Sequence, residues 1–309
     1  MLSFCHTPVL LREVLEAMRP MPGGRYIDGT VGGGGHAAAI LDASSPTGRL
    51  FGCDRDGAAV EAARSRLERF AGRLELKQGN FADLREWVEA ASWDGVLLDL
   101  GVSSHQLDAA ERGFSFQQEG PLDMRMDRRQ GTTAADLLNT WPAEELAKIF
   151  WELGGERDSR RFARAIVQER EVRAFRTTRQ LADLVERVAP RHGKRAHPAT
   201  KVFQALRMAV NAELSALERG LEAAWACVRP GGRLAVITFH SLEDQMVKKF
   251  GRERTRDYTF PGEVDVPELR QPIRPEARWI SRKAIKPGPA EIEANVRSRS
   301  AQLRVLEKI

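Results

Sequence analysis

The sequence is short of several things that would place it at once. It has 3 cysteines in 309 residues, Cys5, Cys53 and Cys227, an odd number set far apart. Such a set fits a reducing compartment and supports neither a disulfide framework nor a zinc site. No apolar run is long enough to cross a bilayer. The opening Met-Leu-Ser-Phe-Cys-His-Thr-Pro lacks the charged and apolar regions of a secretory signal. No internal repeat and no long low-complexity tract is visible. Neither sign of charge dominates, with 48 Lys+Arg against 43 Asp+Glu and a pI near 9.3. A balance that mild is compatible with a nucleic-acid partner without requiring one. The expectation is a cytoplasmic α/β protein with no membrane contact, long enough for one large or two small domains with real cores.

What is present centres on Tyr26-Ile-Asp-Gly-Thr-Val-Gly-Gly-Gly-Gly-His36. A short strand ending at Asp28, a glycine loop over 29–35 and a helix opening at His36 make a cradle for a nucleotide-like cofactor. The spacing of Gly29, Gly32 and Gly34 departs from the G-x-G-x-x-G of dinucleotide-binding folds. It reads better as the Asp-Gly-x-x-Gly-x-Gly-Gly loop of S-adenosylmethionine (SAM) methyltransferases, with Gly35 closing it and Asp28 facing the methionine end. A glycine-rich turn needs no ligand, so the loop alone is weak evidence.

Three later strands end in residues suited to the same ligand. The strand 49–54 ends at Asp54, where doubly wound folds place an acid for the ribose hydroxyls. Asp56 reads instead as the N-cap of a helix over 58–70. The strand 73–78 is followed by Asn80 and Phe81, and an exposed ring there would stack on adenine; the alternative is a core phenylalanine. The apolar strand 93–99 ends in Asp99, followed by Leu-Gly-Val-Ser103-Ser-His-Gln106. Methyltransferases acting on base amines carry a polar-Pro-Pro-aromatic turn here. This loop is not that turn, but Asp99 and Ser103 offer similar chemistry. An exocyclic amine has its lone pair delocalised into the ring, and an acceptor for its N–H bonds turns the lone pair toward the methyl group. Neither a metal nor a covalent intermediate is required.

The fifth strand, 233–238, arrives only after a long helical insertion. Residues 107–131 read as a long ordered loop near the active face. Amphipathic helices follow, with apolar faces at Leu146, Ile149, Phe150 and Leu153, at Phe162, Ala165 and Ile166, and at Leu181, Leu184, Val185 and Val188. Arg157, Arg160, Arg161 and Arg164 lie opposite Phe162 and Ile166, Arg170, Arg173, Arg176 and Arg179 continue the bias, and 191–197 contains no acid. A charge run is usually a solvated face. Its concentration in the insertion points to a phosphate-contacting surface made of Arg157, Arg160, Arg161, Arg164, Lys194, Arg195, His197 and Lys201. His197 and Lys201 also suit plain cap and surface positions. A helix over 202–217 and a Pro230-Gly231-Gly232 turn lead back to the fifth strand. At its tip, His240 is a base for the amine proton, a donor to substrate, or a cap for the helix 243–250; water alone can take that proton. The last strands read as 279–284 and 302–306.

Eight motifs, in order, resemble one family. They are His6-Thr-Pro-Val-Leu, Asp28-Gly-Thr-x-Gly-x-Gly-Gly-His36, Asp99-Leu-Gly-Val-Ser-Ser-x-Gln-Leu107, Arg112-Gly-Phe-Ser-Phe116, Pro121-Leu-Asp-Met-Arg-Met-Asp127, His197-Pro-Ala-Thr-Lys-Val-Phe-Gln-Ala-Leu-Arg207, Phe239-His-Ser-Leu-Glu-Asp244 and Asn295-x-Arg-Ser-Arg-Ser-Ala-x-Leu-Arg304. The chain is similar in these to the bacterial 16S rRNA (cytosine-N4)-methyltransferases, the RsmH/MraW family. It departs at Gln245, where Arg is expected, and at Lys201, a conservative exchange for Arg. The resemblance implies a class I SAM-dependent methyltransferase, Rossmann-like with a mostly parallel seven-stranded sheet, in residues 1–109 and 206–309. It implies an inserted helical domain over 110–205 that recognises rRNA. The implied activity is methylation of N4 of one cytidine in the decoding (P-site) region of 16S rRNA, on the small ribosomal subunit. SAM contacts carry over onto Gly34, Gly35, His36, Asp54, Phe81, Asp99 and Gln106, of which Gln106 rests on the resemblance alone. A homodimer is allowed.

Overall fold

A computed structural model of the chain describes residues 8–129, 131–190, 197–262 and 264–309. His6, Lys194 and Arg195 lie outside them. The chain divides into two compact units, Met1–Gly101 with Ser215–Ile309, and Val102–Leu214. The breaks expected from the sequence were 109/110 and 205/206.

The first unit holds β1 (Arg25–Asp28), β2 (Arg49–Asp54), β3 (Leu74–Gln78), β4 (Trp93–Asp99), β5 (Val228–Thr238), β8 (Ala277–Trp279) and β9 (Gln302–Lys308) in one sheet. A separate two-stranded ladder pairs β6 (Tyr258–Thr259) with β7 (Gln271–Pro272). The large sheet has the order β3-β2-β1-β4-β5-β9-β8. Strands β1 to β5 pair in parallel, and β9 runs antiparallel between β5 and β8. This is the arrangement of the class I SAM-dependent methyltransferases.

Alternation along the central strands divides the core between the two faces of the sheet. Ile27, Val96, Leu98, Leu234 and Val236 pack on one side with Leu217, Leu221 and Trp225 of α10 (Glu213–Cys227) and Val247 and Phe250 of α11 (Ser241–Thr255). Tyr26, Leu97, Ala235 and Ile237 pack on the other with Val14 and Met18 of α1 (Leu11–Met18), Ile40 and Leu41 of α2 (Gly35–Ala43), and Ala63 of α3 (Gly57–Arg66). Covered on both faces, these strands are nearly all apolar, as a parallel sheet requires.

Two strands differ from the sequence reading. β5 begins at Val228, which pairs with Trp93, and the next partners are Gly95 and Arg233. The Pro-Gly-Gly segment bulges out between them, with Gly231 at φ +78°. At the edge, β8 is Ala277–Trp279 rather than 279–284, and Ile285 makes an isolated bridge to Leu303. Three residues at a sheet edge carry too little alternation to register as a strand.

The second unit is helical: α4 (Ser104–Asp108), α5 (Ala134–Thr140), α6 (Ala143–Glu152), α7 (Ser159–Val172), α8 (Thr178–Val188) and α9 (Ala199–Val210). Leu138, Leu146, Phe150, Phe162, Ile166, Leu181 and Leu206 form its own core. The segment expected as a long loop is ordered by specific bonds within this unit. The buried Arg112 donates to the carbonyls of Arg125 and Met126 at 3.0 and 3.1 Å. Asn211 accepts from the amide of Met126 and donates to the carbonyl of Met124. Gly113 (φ +72°) leaves no room for a side chain, since a Cβ there would stand 2.0 Å from the Pro121 carbonyl oxygen. The Arg112 and Pro121 motifs therefore build the insertion.

Candidate active site

The carboxyl ends of β1, β2 and β4 bring together the three acids singled out in the sequence. Asp28 is 1% exposed. Its Oδ1 accepts the Thr30 amide at 3.2 Å, and its Oδ2 is buried with no hydrogen-bond partner among the described residues. Burial, and then the neighbouring charge of Asp54, pushes Asp28 up to about 7. Asp54 accepts the amides of Gly32 and Asp56, both at 2.9 Å, and burial lifts it to about 6. Asp56 caps α3, accepting the Ala58 amide at 3.1 Å.

Asp99 closes β4. Its amide donates to Thr30 Oγ1 at 2.6 Å, so Thr30 ties the ends of β1 and β4. Asp99 Oδ1 is closed to solvent and unpartnered among the described residues. The side chain as a whole keeps 24% exposure, enough for a ligand to reach it. Burial, then the charges of Asp28 and Glu243, holds Asp99 well above the usual carboxylate range. Its Oδ2 lies 3.6 Å from His36 Nδ1, too far for a hydrogen bond. The His36 ring is buried, its Nε2 is 3.0 Å from the Val9 carbonyl, and burial lowers it to about 4. With Nε2–H donated to that carbonyl, the ring is neutral and ties α2 to the preceding segment. The His36 main-chain amide lies in the first turn of α2, where a helix leaves amides without intrahelical partners. Gly34, at φ +78°, caps that helix, and a Cβ on Gly35 would stand 2.4 Å from Pro8 Cγ. Gly32 also takes a positive φ, +50°.

Phe81 differs from the exposed ring expected. It is 9% exposed, and a Cβ on Gly220 of α10 would stand 2.1 Å from its Cε2. One face of the ring is spent on the core.

Ser103 and Gln106 hold the start of α4 in the second unit. Ser103 Oγ accepts the Gln106 amide at 3.2 Å, and Gln106 Oε1 accepts the Ser103 amide at 3.0 Å. The pair is a capping box, and the Ser-x-x-Gln spacing was its signal in the sequence. At the tip of β5, the structure realises the capping alternative for His240. Its Nδ1 accepts the Glu243 amide at 3.5 Å, and its Nε2 lies 3.1 Å from Glu243 Oε1. Glu243 Oε2 in turn accepts the Phe239 amide at 2.8 Å. The ring thus sits against the first turn of α11, with Nε2 buried and without a hydrogen-bond partner among the described residues.

On the second unit, Arg157, Arg160, Arg161 and Arg164 are exposed, and none meets a carboxylate at ion-pair distance among the described residues. Other basic positions have structural jobs. Arg170 donates to the carbonyls of Leu138 and Trp141, and Arg179 pairs with Asp183 at 2.9 Å. Lys201 Nζ donates to the Gly155 carbonyl at 2.8 Å. His197 Nδ1 accepts the Ala199 amide at 3.1 Å, and its ring stacks 4.6 Å from Phe116.

The MraW methylase family matches this chain over residues 3–309. The chain belongs to that family. Three of its relatives, each called Ribosomal RNA small subunit methyltransferase H, are 50% identical to it. That of Symbiobacterium thermophilum aligns over 100% of this chain and 98% of its own length. The figures are 99% and 98% for that of Syntrophotalea carbinolica, and 100% and 95% for that of Thermomicrobium roseum. The protein is thus a SAM-dependent methyltransferase.

In this methylase, two residues of the site escaped the sequence reading. Thr30 sat unnoticed inside the glycine loop, and Glu243 gave no sign that it would hold two main-chain amides and bias Asp99. The conformation of Gly34 gives a direct test. Gly34→Ala puts a Cβ 3.1 Å from Leu67 Cδ1 on a left-handed backbone, a cost of roughly 1–2 kcal/mol. Urea unfolding should report that loss, and calorimetric titration should find SAM bound several-fold more weakly. Wild-type values in both would remove the special role of this glycine.

Proposed function

We propose that this protein transfers a methyl group from SAM to the exocyclic N4 of a cytidine in the decoding region of the small-subunit rRNA. The observation that carries the reading is the half-buried Asp99 carboxyl at the end of β4, with one oxygen unpartnered and the other facing a neutral His36. The unpartnered oxygens of Asp28 and Asp99 fit a ligand that brings positive charge and N–H groups. SAM, when bound, supplies an electrophilic methyl on a cationic sulfur. Asp54 suits its ribose, the amides of Gly35 and His36 at the start of α2 its charged end, with Gly34 shaping the turn through its own bond to the Val31 carbonyl, and the strand end at Phe81 its base. Gln106 keeps the assignment that the resemblance implies. No metal is called for by this chemistry.

An aromatic amine is a poor nucleophile because its lone pair belongs to the ring. Asp99, accepting an N4–H, turns that lone pair out of conjugation and stabilises the charge that develops on nitrogen. The methylated nitrogen is then a strong acid, and water alone can take its proton. Ser103 shapes the loop after Asp99 through its cap. The relatives' name supports small-subunit rRNA as the substrate, and a cytoplasmic setting is in keeping with that reading. The four exposed arginines on α7 and just before it are the phosphate-contacting surface of this reading.

Small subunits incubated with methyl-labelled SAM and this protein should gain one N4-methylcytidine per particle, read by mass spectrometry of nuclease digests. A digest with no N4-methylcytidine would overturn the assignment.

A further inference from the structure

The solvent face of α11 carries charge that the active site does not use. Val247 and Phe250 of this helix are buried in the core, whereas Lys248, Lys249 and Arg252 lie on the opposite side. Together with Gln245, Arg256 and Tyr258 they line an open surface groove of about 550 Å³, in which Glu253 is the one acid among the described lining residues. Lys248, Lys249 and Arg252 meet no carboxylate at ion-pair distance among the described residues. Arg254, on the inner side, shows the contrast: it pairs with Glu222 at 2.6 Å and stacks 3.6 Å from Phe250.

The wall of the groove is preorganised. The Arg256 guanidinium sits 5.8 Å from the Tyr258 ring centroid and 5.3 Å from that of Phe260. Arg270 stacks 4.1 Å from Tyr258 on the β6–β7 ladder. Asp265 accepts the Tyr258 hydroxyl at 2.7 Å and the Arg270 guanidinium at 2.7 and 2.9 Å, which locks both side chains. A solvated helix face has no need of such a wall. Lys248 and Arg252, at i and i+4, also repel each other on the helix surface, and a polyanion relieves that repulsion.

We propose that this groove binds a phosphodiester strand of the RNA substrate, away from the target base; the proposal rests on the rRNA reading above. From Lys248 to Thr255 the helix advances about 10 Å, the axial span of roughly three phosphates on one strand, and Arg256 follows at its C-cap. Helix α11 begins at the carboxyl end of β5, on the ligand side of the sheet, so a strand leaving that side can follow it. The stacked arginine–aromatic wall suits a nucleic acid, which offers base faces as well as charge.

The test is the variant Lys248→Gln/Lys249→Gln/Arg252→Gln, with Lys249→Gln/Arg252→Gln as a milder second form should the triple melt early. Small-subunit KM should rise at least tenfold, with kcat and SAM affinity unchanged. The salt slope of subunit binding should fall by about 2 to 3, the share of three phosphate contacts. A fluorescent 12-nucleotide oligoadenylate, which has no target base, should bind the wild type at least fivefold more tightly than the variant. Unchanged KM and oligonucleotide affinity in a folded variant would overturn the proposal. Weakened subunit binding with oligonucleotide binding intact would also overturn it, and point to an acidic protein contact. If subunits gain no methyl group while the oligonucleotide difference holds, the cytidine reading fails and the groove stands.

Discussion

Asp99→Asn is expected to lower kcat by roughly 10²- to 10³-fold, the scale of losing one preorganised electrostatic contact to a transition state. The same substitution should raise the melting temperature of the SAM-free protein at pH 8. Both follow from one cause. Burial and the charges of Asp28 and Glu243 hold the Asp99 carboxyl above its ordinary 3.8. The folded state then keeps a proton that the unfolded chain has lost. From about pH 4 upward, wild-type stability therefore falls with rising pH until the folded pKa is passed. Asparagine carries no charge to bury. The difference in melting temperature should be near zero at pH 4 and grow toward pH 8. His36, lowered to about 4, slopes the other way, but it is present in both proteins and cancels in the difference. Saturating SAM should stabilise the wild type more than the variant, because a cation favours the ionised carboxylate. Asp99→Ala should lose turnover similarly and remain folded. Near-normal kcat in either variant would take Asp99 out of the mechanism, and a melting difference that ignores pH would refute the buried-charge account.

The second large effect is expected on the insertion. Replacing Arg160, Arg161 and Arg164 with Gln should weaken small-subunit binding by about 10- to 100-fold at moderate salt. The slope of log affinity against log salt should drop by roughly 2 to 3, since three phosphate contacts release fewer counterions. SAM affinity should not move. These side chains are exposed and lie outside the core that Phe162 and Ile166 build, so the fold should be untouched. Filter binding over a salt series decides it. An unaltered slope would return this face to an ordinary solvated surface.

Much of the first unit was legible because local chemistry and tertiary role coincide there. Strands β2 and β4 end at the expected acids, Asp54 and Asp99, because a buried parallel strand must be apolar until it emerges at the ligand edge. Asp56 was readable as a cap because its partner, the Ala58 amide, lies two residues away. Ser103 and His240 looked chemical because polar residues at strand and loop ends suit both a cap and a catalyst. Their capping partners lie only three residues on, so the signal was present and ambiguous. The basic run of the insertion was visible as a whole, but the sequence did not separate its members. Arg170 and Lys201 find backbone carbonyls that are 29, 32 and 46 residues away, and no local pattern marks such partners.

By itself the sequence determined the glycine loop, the three acids at strand ends, the helical insertion and the family. Those features depend on neighbours within a few residues or on motif spacing. Only the tertiary structure decided that Phe81 presses against Gly220 and that Thr30 joins the ends of β1 and β4. It alone also placed Glu243 where its charge adds to that of Asp28 on Asp99. The reason is physical: a carboxyl's proton affinity and a ring's exposure are set by what the fold brings beside them, across separations in sequence that carry no periodicity to read.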